Sequence, residues 1–140
     1  MIPVLADAID RDDRPRRPRI LVIDDEAAVR RSIARVLTRE GYSVTSAESA
    51  EEAFELIEGS DVPFDLVISD IVMTGMSGVV FAKRLRASAR RTRIMLISGF
   101  PGSHLGDSAL GADGFDLLQK PFTPTQLAAR VREHILDVGP

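Results

Sequence analysis

The chain has 140 residues, no cysteine and a formal net charge of −3. That length suits one domain with a core that holds without staples, and the missing thiols exclude disulfides and thiolate metal sites. The negative balance disfavours non-specific binding to nucleic acid or to an anionic membrane, and no apolar run approaches the roughly 20 residues of a membrane span.

Residues 1–18 alternate acids, arginines and prolines, ending in Arg14-Pro15-Arg16-Arg17-Pro18. They bury too little to fold and read as a disordered tail, so the folded domain is expected over 19–138. Met1 to Asp13 lacks the basic start and apolar block of a secretory signal. A cytoplasmic location is the expectation.

Ile20-Leu21-Val22-Ile23 is the first expected strand, ending on Asp24, Asp25 and Glu26. A helix follows to about Glu40, with Val29, Ile33, Val36 and Leu37 on one stripe and Gly41 as its stop. Tyr42 to Ser46 is the second strand. Ser49 and Glu52 have the spacing of a capping box for a helix to about Ile57. Leu66-Val67-Ile68 is a short β-branched run that reads as a strand buried on both faces, and it stops on Asp70. Ser77 caps a third helix, whose far end is basic (Lys83, Arg84, Arg86, Arg90, Arg91 and Arg93) and reads as a solvated face.

Ile94 to Ile97 is the fourth strand, followed by Ser98-Gly99. Gly99, Gly102, Gly106, Gly111 and Gly114 crowd the next segment. Each glycine inside a helix costs about 1 kcal/mol relative to alanine, so a fourth helix at 103–110 is expected to be weak and mobile. Phe115 to Gln119 is the fifth strand, ending at Lys120-Pro121-Phe122. Thr123, Pro124 and Gln126 start the last helix, which runs to about Leu136. His104 and His134 have no partner at metal spacing and read as structural or solvated.

Strands alternating with helices imply a doubly wound α/β fold with a five-stranded parallel sheet. In such a sheet the polar residues at the strand ends, Asp24, Asp25, Asp70, Ser98 and Lys120, share one edge, where ligands bind. Two carboxylates about 4 Å apart repel by roughly 4 kcal/mol at an effective dielectric near 20, so the acids share protons or hold a cation. With oxygen ligands only, Mg²⁺ is the natural ion. Asp70 would then be a nucleophile toward phosphorus, with Lys120 and the Ser98 hydroxyl on the phosphoryl oxygens.

Taken in order, Asp24-Asp25, Asp70 with Met73 and Gly75-Met76-Ser77-Gly78, Ser98-Gly99 and Lys120-Pro121-Phe122 resemble the receiver domain of two-component response regulators. The likeness runs from about Arg19 to Asp137. It implies a flavodoxin-like sheet of order 2-1-3-4-5 and a cis bond before Pro121. It implies that Asp24, Asp25, Asp70 and the backbone carbonyl of Val72 hold Mg²⁺, Asp25 more directly than Asp24. It also implies that Asp70 accepts a phosphoryl group from a histidine kinase or phosphotransfer protein, and that Ser98 and Lys120 contact that group. Such a domain is a signalling phosphoacceptor in a two-component system or phosphorelay, not an enzyme with an outside substrate. It is expected as a monomer or phosphorylation-dependent dimer, freestanding or part of a hybrid kinase. No DNA-binding segment follows the last helix, so output is expected through a downstream effector protein, without direct contact to nucleic acid or membrane.

Three residues depart from the family pattern. Val72 is apolar where many relatives are polar, and is expected to alter dephosphorylation. Thr74 stands at a common proline position and is expected to loosen its loop. Leu117 replaces a switch aromatic, with Phe115 two residues earlier on the same strand face. Together with the glycine-rich segment, this predicts an unusually mobile output surface. A haloacid-dehalogenase-type enzyme would need an acid at Val72, and a flavodoxin-like cofactor binder would need a phosphate loop where Asp24-Asp25-Glu26 stands. The alternative is a degenerate receiver used only for docking, against which the presence of every reactive position argues.

Overall fold

The computed structural model describes residues 16–88, 92–99 and 115–137. The elements are β1 (Arg19–Ile23), α1 (Ala27–Arg39), β2 (Ser43–Ala47), α2 (Ala50–Glu58), β3 (Leu66–Asp70), α3 (Gly78–Ser88), β4 (Arg93–Ser98), β5 (Asp116–Gln119) and α4 (Pro124–Asp137). All strand pairs are parallel, in the order β2-β1-β3-β4-β5. This is the flavodoxin-like order implied by the resemblance. The expected weak helix at 103–110, His104 and most of the N-terminal tail lie outside the described residues. The sheet edge already begins at Pro18, whose carbonyl accepts the Ser43 N–H at 2.9 Å.

Strand alternation sorts the core into two halves. Leu21, Ile23, Val67, Ile94 and Leu96 face α2 and α3, while Ile20, Val22, Leu66, Ile68, Met95 and Ile97 face α1 and α4. Every residue of the central strand β3 is buried. A buried Ile or Leu contributes about 1.5–3 kcal/mol, so this strand is firmly anchored and its terminal carboxylate inherits that rigidity.

The helix starts follow the expected caps. Ser49 Oγ accepts the Glu52 N–H at 3.0 Å. Thr123 and Gln126 form a reciprocal box, at 3.0 Å to the Thr123 Oγ1 and 2.8 Å to the Gln126 Oε1. Ser77 Oγ accepts the Val80 N–H at 3.2 Å. Gly41, past the end of α1, has φ +97°, a left-handed conformation that a side chain rarely adopts.

The basic end of α3 is only partly a solvated face. Lys83 and Arg84 are exposed, but the Arg86 guanidinium lies over the Phe115 ring at 5.0 Å. Phe115 and Leu117 pack against the same core half, as their two-residue spacing requires. His134 is structural, with Nε2 2.9 Å from Asp116 Oδ2, and Arg130 also binds this carboxylate.

Candidate functional site

The ends of β1, β3, β4 and β5 meet on one rim because parallel strands in register finish together. Asp70 is the last residue of β3, pairs with Ile97 of β4, and is 6% exposed. Its Oδ2 lies 3.2 Å from Lys120 Nζ, and its Oδ1 accepts the Val72 N–H at 3.2 Å. Lys120 is held at this rim by its own N–H, which donates to the Ser98 carbonyl at 2.7 Å. Its peptide bond to Pro121 is cis, as the resemblance implies. Ser98, buried at the end of β4, pairs with Gln119 and stands one position beyond the partner of Asp70.

Gly78 makes room for this strand end. A Cβ there would sit 2.1 Å from the Asp70 carbonyl oxygen, so only glycine permits α3 to start so close to the nucleophile candidate.

Asp24 is 1% exposed. Its Oδ1 accepts the Glu26 N–H at 2.9 Å, and its backbone carbonyl accepts from Arg30 at 2.6 Å. Oδ2 is buried without a hydrogen-bond partner among the described residues. Burial pushes this carboxyl up to about 6, assisted by the Asp70 and Asp25 charges and opposed by the Glu26 N–H and Lys120.

Asp25 is arranged differently from the crowded acids that the sequence suggests. It is exposed, and its Oδ2 accepts both the backbone N–H of Thr74 at 2.8 Å and the Thr74 hydroxyl at 3.1 Å. The Thr74 N–H is the main reason its carboxyl lies below the ordinary value. Thr74 therefore ties its loop to the connection after β1. No three acids or histidines among the described residues form a ready-made metal cage. Lys120 already offsets charge at Asp70, and Thr74 engages Asp25.

The residues nonetheless fit a hard divalent cation. The donors are carboxylate and carbonyl oxygens, and the buried, unpartnered Oδ2 of Asp24 is an oxygen in need of a positive partner. Val72 brings its backbone N–H to this rim and is itself 67% exposed. Thr74 and Gly78 enlarge the set of site residues. Glycine next to a serine cap is a visible signal, whereas nothing in the string links residue 74 to residue 25.

A family model for the response regulator receiver domain matches residues 20–132. The chain is 39% identical over 126 residues to the transcriptional regulatory protein YvrH of Bacillus subtilis (strain 168), covering 83% of this chain and 48% of that protein. It is 34% identical to the receiver domain of the hybrid histidine kinase CckA, with a TM-score of 0.68, over 84% of this chain and 98% of that one. A CheY-like receiver domain protein from Methanospirillum hungatei JF-1 is 26% identical with a TM-score of 0.80, over 88% and 97% of the two chains. The chain thus spans about half the length of a relative such as YvrH and nearly all of the solved receiver domains. The matched span runs from β1 into α4 and takes in every rim residue described above, and the chain belongs to the response regulator receiver domain family.

Proposed function

We propose that Asp70 is the phosphoacceptor of a two-component or phosphorelay system. The observation that carries this reading is the Asp70–Lys120 contact at 3.2 Å, beside the buried, unpartnered Asp24 Oδ2. A carboxylate oxygen of Asp70 attacks the phosphorus of a phosphohistidine on a histidine kinase or phosphotransfer protein. The phosphorus–nitrogen bond breaks, the imidazole leaves and takes a proton from solvent, and an aspartyl phosphate remains. Lys120 moves from the carboxylate to a phosphoryl oxygen, and the Ser98 hydroxyl donates to another.

Asp24, Asp25, Asp70 and the Val72 carbonyl are the residues that would hold Mg²⁺. When bound, the ion supplies charge that offsets repulsion between the acids and the incoming phosphoryl group. The phosphorylated state is then passed to an effector protein in the cytoplasm, as a monomer or through a dimer that forms on phosphorylation.

Intact-mass measurement after treatment with a small acyl phosphate and Mg²⁺ tests the reading. Wild type gains one phosphoryl group, whereas Asp70→Asn and wild type with chelator gain none. Equal gain by Asp70→Asn, or none by wild type with Mg²⁺, overturns it.

A further inference from the structure

We propose that Thr74 is a positioning residue for the divalent cation, acting through Asp25. The inference rests on the metal reading of the rim given above. Asp25 lies in the β1–α1 connection and Thr74 in the β3–α3 connection, 49 residues apart. Asp25 is exposed, and without a tether its side chain would lose rotamer freedom on gripping an ion. Thr74 removes that cost in advance with two donors, its N–H at 2.8 Å and its hydroxyl at 3.1 Å. Both fall on Oδ2, so the tether does not consume the other carboxylate oxygen.

Two effects of the tether oppose each other. Hydrogen bonds draw charge from the carboxylate, which weakens its pull on a cation. Ordering and orientation strengthen it. Removing partners that orient ligating carboxylates typically costs about 10–100-fold in metal affinity, so orientation is the larger effect. The assignment is specific to the residue at this position. Serine retains both donors, alanine keeps only the N–H, and proline has neither.

The test is a Mg²⁺ titration of the full chain, followed by amide NMR shifts without any phosphodonor. The chain has no tryptophan to report binding. Thr74→Ser binds like wild type, Thr74→Ala binds about tenfold more weakly, and Thr74→Pro binds more weakly still. If stiffness of the loop governed affinity instead, the proline variant would bind most tightly, and that order overturns the proposal. Alanine and wild-type affinities that coincide overturn it as well. Wild type that takes up no Mg²⁺ overturns the metal reading of the site and this inference with it. Amide dispersion monitors folding, and should Thr74→Pro not fold, the comparison of serine with alanine decides.

Discussion

Lys120 Nζ lies 3.2 Å from Asp70 Oδ2 across 50 residues of sequence, with both side chains largely withdrawn from solvent. In the proposed reaction this pair would hold the ammonium where negative charge builds up on the transferring phosphoryl group. Removing one preorganised donor of this kind costs about 10²–10³ in rate. Lys120→Gln is expected to slow phosphorylation of Asp70 by a small phosphodonor by that factor at saturating Mg²⁺, measured by mass spectrometry over time.

Asp24 makes stability depend on pH. Its carboxyl rises from 3.8 to about 6 on folding. Between those values the folded state holds a proton that the unfolded chain has released. Stability therefore falls as pH rises through this window and stays lower above it, by about 3 kcal/mol. Urea unfolding with chelator present is expected to show this fall in wild type and not in Asp24→Asn. Added Mg²⁺ at neutral pH is expected to restore stability to wild type and not to Asp24→Asn, by binding the folded state.

Asp116 acts in the opposite sense. Burial raises its carboxyl, but hydrogen bonds from His134 and Arg130 outweigh this and set it at about 2. The folded state stays ionised where the unfolded chain has taken a proton, so this contribution is present above about 4 and lost as pH falls toward 2. Because the side chain is 30% exposed, about 1–2 kcal/mol is expected after allowing for solvent screening. Asp116→Asn should flatten the acid limb of the stability curve, and a limb like that of wild type would contradict the assignment.

Val72 is an exposed apolar residue two positions after Asp70, and its N–H donates to Asp70 Oδ1. Its side chain has no polar atom to orient a water for attack on the proposed aspartyl phosphate. Val72→Asn leaves the fold unchanged and is expected to shorten the phosphorylated lifetime by about tenfold, through positioning of that water. Loss of radiolabelled phosphate with time checks this, and an unchanged half-life refutes it.

Gly78→Ala is expected to cost about 1–3 kcal/mol of stability, because its Cβ would overlap the Asp70 backbone. Phosphorylation should slow as well, since the strand end that carries Asp70 must shift. Thermal unfolding and phosphorylation rate measured on one preparation test both parts.

Much of the architecture follows from local patterns in the chain. The apolar run at Leu66–Ile68, the Ser49–Glu52 and Thr123–Gln126 boxes and the positive-φ Gly41 mark their elements within a few residues of sequence. They are legible because strand alternation, caps and turns depend on near neighbours. The order of Asp24, Asp25, Asp70, Ser98 and Lys120 at strand ends is legible for the same reason, since strands that run parallel place their ends on one edge. Asp70 ends β3 as expected, whereas Ser98 proves to be the final residue of β4 rather than the first residue after it, a matter of where the last ladder bond falls.

The sequence by itself determined the alternation of strands and helices and the edge on which the polar strand-end side chains gather. Only the tertiary structure decided which of them meet. It gave Asp70 to Lys120, left the Asp24 Oδ2 buried without a partner among the described residues, and turned Asp25 toward Thr74. It also placed His134 on Asp116 and Arg86 over Phe115. These pairings join residues distant in the chain through distances of a few ångströms. Such distances depend on sheet register, loop path and burial, which periodicity and local spacing do not encode.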